Sequence, residues 1–249
     1  AGIERRRVSS PPMTEETTQN TPPVLAAGGL RFAWQAGQTL LDIPVLDIAP
    51  GEKVLIRGAS GSGKSTLLNL FAGILTPTAG TVSLLGTDLS ALPGATRDRF
   101  RAEHLGIIFQ LFNLLPWLPV LDNVLLPCRF SRRRLLRARE SDGSEETAAR
   151  RLLAELGLPE AGSASAARLS IGQQQRVAAA RALIGNPEIV IADEPTSALD
   201  EDSRAAFLAL LQAECERVDA TLIMVSHERS LEPLFDRVIP MRQLAAGTS

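Results

Sequence analysis

A glycine-rich segment, Gly58–Thr66, reads G-A-S-G-S-G-K-S-T and has the spacing of a phosphate-binding loop. It follows a short apolar run and precedes apolar residues at helical spacing, so backbone N–H groups and a helix N-terminus can point at phosphate. Lys64 is expected to reach the β- and γ-phosphates of a nucleotide, and Ser65 to ligate Mg²⁺. The loop residues expected to bind the nucleotide are Gly58, Ala59, Ser60, Gly61, Ser62, Gly63, Lys64, Ser65 and Thr66.

Two adjacent carboxylates, Asp193 and Glu194, end the apolar run Ile189–Ala192. Burying two carboxylates costs free energy unless a cation or a proton offsets their charge. We therefore predict that Asp193 faces Mg²⁺ and that Glu194 is the base that polarises an attacking water. The alternative is a solvated acidic turn, which fits poorly because the preceding residues, Ile189–Ala192, are all apolar.

Strand-like and helical segments alternate around these residues, which predicts a doubly wound α/β core. Strands are predicted at Leu30–Trp34, Leu40–Ile48, Lys53–Ile56, Thr81–Leu85, Leu105–Phe109, Ile189–Ala192 and Thr221–Val225, and helices at Lys64–Leu75, Glu146–Leu156, Gly172–Ile184 and Asp200–Val218. Ligands of such sheets bind beyond the carboxyl ends of the strands. Gly58, Gln110, Asp193 and His227 each follow a predicted strand, so we expect them to converge at one edge.

The region between Gln110 and about residue 175 has a different character: a proline-rich apolar loop, a run of arginines, an acidic turn and then a helix ended by Gly157. We interpret it as a helical insertion within one domain of residues 24–249. Residues 1–23 are polar and proline-rich, which predicts disorder. Because residues 1–12 precede Met13, we interpret them as a non-native remnant or upstream read-through.

The composition excludes some function classes and leaves others open. A formal net charge of −2 gives no overall basic character, so no nucleic-acid partner is expected. Cys128 and Cys215 lack the spacing of a metal site or a disulfide framework, and we read both as ordinary thiols. The most apolar stretch, residues 111–128, is interrupted by three prolines and an aspartate, so no membrane span is expected.

The segment Leu169–Arg176 reads L-S-I-G-Q-Q-Q-R and resembles the signature sequence of ATP-binding cassette (ABC) ATPases, whose usual pattern is L-S-G-G-Q. Six motifs occur in the order of that family between about Val24 and Arg242. The resemblance implies a P-loop NTPase with a RecA-like parallel-sheet core, an N-terminal antiparallel β-subdomain and a helical insertion that carries the signature. Ile171 replaces the first glycine, and because isoleucine resists positive φ we expect an ordinary backbone angle there.

The resemblance also assigns roles within one chain. Gln110 is similar to the Q-loop glutamine, which contacts Mg²⁺ or its bound water and lies at a hinge to the insertion. His227 resembles the switch histidine that contacts the γ-phosphate. Trp34 is expected to stack on adenine; the alternatives are Phe32 in that role, or Trp34 as plain core packing. His104 does not follow a predicted core strand beside the nucleotide, and we interpret it as a structural residue.

Other roles concern a second chain. The resemblance implies a homodimer in which Ser170, Gly172 and Gln173 of one copy hold ATP bound to the loop of the other. The segment Ser197–Asp200 resembles the D-loop at that interface. Asp200 is expected to contact the site, and an ordinary helix N-cap at Asp200 is compatible with this role.

The apolar loop after Gln110 resembles the subgroup that serves lipoprotein release, macrolide export and cell division. This resemblance implies an ATPase subunit at the cytoplasmic face of the inner membrane that drives a permease, for export or extraction of a lipophilic or lipoprotein-like substrate. The loop would receive a coupling helix of the permease. The alternative is that Leu114, Leu115 and Trp117 simply pack into the insertion.

Three other functions fit these residues less well. A soluble ABC ATPase acting on DNA or ribosomes usually carries a coiled coil or a second cassette, and neither occurs in this sequence. A nucleotide-sensing adaptor without productive turnover would not need Lys64, Asp193, Glu194 and His227 together. A P-loop kinase or GTPase leaves the signature unexplained.

Overall fold

The computed structural model describes residues 21–245. Of residues 1–23, for which disorder is predicted, residues 21–23 have no regular secondary structure and residues 1–20 lie outside the described residues. The strands are β1 (Leu25–Ala33), β2 (Thr39–Ile48), β3 (Lys53–Arg57), β4 (Ala79–Leu84), β5 (Thr87–Asp88), β6 (Leu105–Ile108), β7 (Ile189–Asp193), β8 (Thr221–Ser226) and β9 (Arg237–Pro240). The helices are α1 (Lys64–Phe71), α2 (Gly94–His104), α3 (Val120–Phe130), α4 (Arg132–Asp142), α5 (Glu145–Glu155), α6 (Ile171–Leu183) and α7 (Glu201–Arg217).

The strands form two sheets of different kinds. One is antiparallel with the order β2-β1-β4-β5, and the other is parallel with the order β6-β7-β8-β3-β9. This architecture confirms the predicted parallel core with an N-terminal antiparallel subdomain.

The parallel sheet is covered on both faces, because successive side chains of a strand point to opposite sides. In β3, Leu55 packs toward α3, α5 and α6, whereas Val54 and Ile56 pack toward α1 and the antiparallel sheet. The same alternation runs through β7 and β8, whose central residues are fully buried. These continuous apolar runs are typical of strands buried on both faces.

The helical insertion is more regular than the sequence indicated. The expected proline-rich loop ends at Pro119, where α3 begins, and the arginine run forms α4 with Ser131 as its N-cap. Pro119 precedes the first turn of α3, where its missing N–H has no consequence. Pro127 lies within α3 and removes the hydrogen bond to the carbonyl of Asn123, close enough to the helix end that the helix continues to Phe130.

Three further elements were not predicted: α2, β9 and the two-residue strand β5. Helix α2 contains no buried residue and so lacks an apolar face that would mark it in the sequence. Strand β9 is only four residues long and pairs with the edge of the sheet at β3. The helix stop at Gly157 is confirmed, with a φ of 77°. No helix within residues 21–245 combines the length and apolar character needed to cross a membrane.

Candidate nucleotide-binding site

The phosphate-binding loop joins β3 to α1 at the carboxyl edge of the parallel sheet. Gly61 and Gly63 have φ values of 78° and 94°, which favour glycine and turn the backbone around the site. Gly63 is the N-cap of α1 and provides no side-chain hydrogen bond to the first turn. The N–H groups at this helix N-terminus therefore remain available for phosphate oxygens.

Lys64 is buried at the centre of this edge. Its Nζ donates to the carbonyls of Gly58 (2.9 Å) and Ala59 (2.7 Å) and lies 3.0 Å from Oε1 of Glu194. An ammonium group has three donors, and these contacts use all three. A phosphate bound here would compete with Glu194 and the two carbonyls for Lys64.

Glu194 is held between the loop and the strand that carries His227. Its backbone N–H donates to the carbonyl of Val225 (3.1 Å), and its φ is 42°, an uncommon angle for a residue with a side chain. Its Oε2 lies 3.3 Å from Nδ1 of His227, whose side chain is half exposed. The structure thus brings together three predicted residues that are far apart in the sequence.

Asp193 lies beside them at the end of β7. Burial raises the pKa of Asp193, while a hydrogen bond with the Ser65 hydroxyl opposes that rise. Its Oδ1 is buried without a hydrogen-bond partner within the described chain. An unpartnered carboxylate oxygen next to a hydroxyl suits a hard divalent cation such as Mg²⁺. Residues 21–245 contain no group of three or more His, Cys, Asp and Glu residues that could hold a metal ion.

A cleft of about 390 Å³ opens over this edge. Gln110, Glu194, Leu40 and Trp34 line it together with the loop. Trp34 is 65% exposed and meets Phe32 edge to face, with ring centroids 5.0 Å apart. The alternative that Trp34 packs in the core is wrong, and Phe32 is too buried to stack on a nucleotide. Leu40 was not anticipated, since a lone leucine in a strand gives no functional signal.

The signature segment lies at the N-terminus of α6, away from the residues that line the cleft. Ser170 Oγ accepts from the N–H of Gln173 (3.3 Å), and Gln173 Oε1 accepts from the N–H of Ser170 (3.0 Å), which makes a capping box. Ile171 begins the helix without a positive φ, as expected, and is 55% exposed. Ser170, Gly172 and Gln173 do not line the cleft in the described part of this chain.

Asp200 and His104 both make ordinary structural contacts. Asp200 caps α7 by accepting from the N–H and the hydroxyl of Ser203, both at 2.9 Å, and the backbone hydrogen bond lowers the pKa of Asp200. His104 lies 3.1 Å from Glu188 and packs against Phe100. The N-cap is therefore present, whereas contact of Asp200 with a second chain stays a prediction.

A parallel sheet with a lysine-bearing glycine loop and two carboxylates at its carboxyl edge defines a P-loop nucleoside triphosphatase. Residues 41–197 match the family model described as ABC transporter, and the chain therefore belongs to the ABC transporter family as an ATP-binding subunit and an ATPase.

Relatives with assigned names agree with this family. The lipoprotein-releasing system ATP-binding protein LolD of Syntrophotalea carbinolica is 41% identical over 196 residues, which are 79% of this chain and 83% of that protein. The macrolide export ATP-binding/permease protein MacB of Bradyrhizobium diazoefficiens is 40% identical over 89% of this chain, which spans only 33% of that protein. These names confirm the expected subgroup.

A solved structure shares the fold. The ATP-binding cassette MJ0796, in a dimeric post-hydrolysis state bound to ADP and Pi, has 34% sequence identity and a TM-score of 0.77. The match covers 87% of this chain and 93% of that one.

Proposed function

We propose that two copies of this chain bind two ATP molecules head to tail and couple their hydrolysis to a membrane permease. The observation that carries this proposal is that the N-terminus of α1, at the glycine loop, and the N-terminus of α6, at the signature segment, lie apart. The N-terminus of α1 faces the cleft, whereas Ser170 and Gly172 at the N-terminus of α6 lie outside it. A second copy would bring its α6 to the cleft, and the dimeric form of the solved cassette supports this arrangement.

The residues at the cleft fit Mg²⁺ bound to ATP. Asp193, Ser65 and Gln110 would hold the ion, which neutralises phosphate charge and fixes the orientation of the γ-phosphate. The unpartnered, buried Oδ1 of Asp193 is the feature that favours this assignment.

The roles of the other side chains follow from their contacts. When a γ-phosphate takes Lys64, the carboxylate of Glu194 loses its 3.0 Å ion pair and becomes free to accept the proton of an attacking water. His227 would contact the γ-phosphate while holding Glu194 through Nδ1. The bond between the β-phosphate oxygen and the γ-phosphorus breaks as the water oxygen adds, and ADP and phosphate leave. Trp34 would stack on the adenine ring.

The surface beside Gln110 fits a helix of a permease. Leu111 and Trp117 are 83% and 74% exposed, whereas Leu114 packs against the core of the insertion. Asn123 is fully buried and holds the loop by accepting from the N–H of Leu115 (2.8 Å) and donating to its carbonyl (3.0 Å). The loop is therefore rigid while two large apolar side chains face outward, which is typical of a docking surface.

A groove next to this loop extends the surface. It has a volume of about 280 Å³ between α2, β6 and α3, and Phe130 at its rim is 78% exposed. We call Leu111, Trp117, Phe130 and this groove the docking face. An amphipathic helix can lay its apolar face into a groove of this kind. The name of MacB, which joins ATP-binding and permease parts in one protein, supports a permease as the occupant.

The subgroup suggests where the complex works and on what. By likeness to LolD and MacB, we place the chain at the cytoplasmic face of the inner membrane, with export or extraction of a lipophilic or lipoprotein-like substrate. The permease and any partner outside the membrane would select that substrate.

The test is affinity purification from detergent-solubilised native membranes, with mass spectrometry of the proteins that co-purify. We expect an integral membrane protein in stoichiometric amount, lost when Leu111 and Trp117 are both replaced by Glu. Val45→Glu is the matched control, because Val45 is 73% exposed on β2 of the antiparallel sheet. Recovery with ribosomes or nucleic acid, or without a partner, would contradict the proposal and favour a soluble ATPase.

A further inference from the structure

The backbone that follows Gln110 has an unusual conformation. Phe112 and Asn113 have φ values of 58° and 48°, and neither is glycine. The N–H of Asn113 donates to the carbonyl of Leu111 (2.6 Å), which closes a γ-turn with positive φ at its centre. Such turns are rare and strained, and they persist only where the surrounding structure fixes them. Something must therefore hold this turn in place.

Two groups hold it. The side chain of Phe112 is buried in the core of the insertion. The guanidinium of Arg181, on the C-terminal half of α6, donates to the carbonyl of Phe112 (2.5 Å) and to that of Asn113 (2.7 Å). Burial lowers the pKa of Arg181, and within residues 21–245 its hydrogen bonds go to these carbonyls and not to a carboxylate. A largely buried charge is thus used to fix two strained peptide groups.

We propose that Arg181 is a positioning residue that fixes the turn after Gln110 to the signature helix. Three parts of the molecule then move as one unit: Gln110 at the cleft, Leu111 on the docking face and the signature at the N-terminus of α6. The proposal deepens the proposed function and rests on it for the role of Gln110.

Loss of Arg181 should affect hydrolysis and ATP binding differently. Its contacts are with the backbone after Gln110, whereas the loop that binds phosphate is joined to β3 and α1. Without Arg181, only the buried side chain of Phe112 holds the turn, so its peptide groups can reorient, which would shift Gln110 at the cleft and Leu111 on the docking face. We expect the rate of hydrolysis to fall while ATP affinity is kept, because a small misplacement of a catalytic group lowers turnover steeply.

The experiment compares full-length Arg181→Ala, Arg181→Lys and Arg137→Ala. Arg137 is the matched control: it donates to the carbonyl of Asn186 (2.7 Å), which also has positive φ (50°) but lies at the other end of α6 from the signature. For Arg181→Ala we expect kcat to fall about tenfold and the Mg²⁺ concentration for half-maximal rate to rise, with ATP affinity within about twofold. Arg181→Lys keeps a donor and should recover part of kcat, and Arg137→Ala should keep the wild-type kcat.

Amide hydrogen exchange over residues 111–114 tests the contact itself. Arg181→Ala should exchange faster than wild type in this segment, and Arg137→Ala should not. If Arg181→Ala does not fold, the same measurements on Arg181→Lys test the proposal. A lysine would make weaker hydrogen bonds to the turn, so we expect an exchange rate between those of wild type and a variant without these bonds. Wild-type exchange and kcat in the Arg181 variants, or an equal loss of kcat in Arg137→Ala, would overturn the proposal. A wild-type rate for Gln110→Ala would instead contradict the role of Gln110, and the exchange result would still decide whether Arg181 holds the turn.

Discussion

One helix N-terminus follows the phosphate-binding loop and another begins at the signature segment, and the two satisfy their backbone groups differently. At α1 the N-cap is Gly63 without a side-chain cap, and the nearby Lys64 is buried. At α6, Ser170 and Gln173 cap each other's backbone, and Ile171 projects into solvent. At the first terminus no side chain accepts from the N–H groups of the first turn, whereas at the second the capping box satisfies the N–H groups of Ser170 and Gln173. We infer that α1 binds nucleotide within the monomer and that α6 acts only when it meets a second surface.

The largest expected effect is at the first terminus. Glu194→Gln should keep ATP binding but lower turnover by about 10²–10⁴-fold, because an amide cannot accept the proton of water. Phosphate release and ATP titration would measure the two quantities separately. Glu216→Gln is the control, since Glu216 also pairs with a lysine, Lys53 (2.5 Å), at the opposite end of β3. Hydrolysis close to wild type in Glu194→Gln would exclude Glu194 as the essential base.

The variant Asp193→Asn tests two separate effects of this carboxylate at the same edge of the sheet: its effect on the stability of the fold and its binding of Mg²⁺. Burial raises the pKa of Asp193, so ionised Asp193 destabilises the fold as the pH rises through that raised pKa. Without nucleotide at pH 7 the variant should melt a few degrees higher, roughly 2–4 °C per kcal/mol, and this gain should shrink as the pH is lowered through the raised pKa of Asp193. Stimulation of hydrolysis by Mg²⁺ should be lost by about 100-fold or more. A variant that melts lower than wild type at pH 7 would contradict the assigned cost of burial.

Ser170→Ala tests the second terminus. Loss of the cap should cost about 1 kcal/mol of stability, and turnover should fall about tenfold if this serine contacts ATP of the partner. Ser144→Ala is the matched control, because Ser144 likewise caps a helix of the insertion, α5, by accepting from the N–H of Thr147 (3.1 Å). Thermal melting and ATPase rates of both variants distinguish the roles. Equal losses of turnover in both would show that Ser170 is only a cap.

Ile171→Gly should have the smallest effect. It restores the usual signature pattern, costs about 0.5 kcal/mol of helix stability, and should change turnover by less than about threefold. The reason is that Ile171 already has an ordinary helical backbone, so glycine is not required there. An ATPase rate that rises by an order of magnitude would show that this side chain restrains the dimer.

Local motifs predicted most of the site. The glycine loop, the carboxylate pair and the signature are contiguous segments, and strand continuity predicted that Asp193, Gln110 and His227 reach one edge. The antiparallel subdomain and the signature came from family resemblance. Helices α2, α3 and α4 were missed for physical reasons: α2 buries no residue, α3 has Pro119 as its N-cap and contains Pro127 near its C-terminal end, and α4 buries only Arg134 and Ala138.

The sequence by itself determined the class of chemistry, because phosphate binding and carboxylate catalysis need particular residue types at fixed short spacings. Only the tertiary structure decided which alternatives hold: Trp34 is exposed at the cleft and Phe32 is not. It also decided that Lys64 pairs with Glu194 and that Arg181 holds the turn after Gln110. Such contacts join residues distant in the chain, and their geometry depends on the packing of several elements at once, which no local spacing encodes.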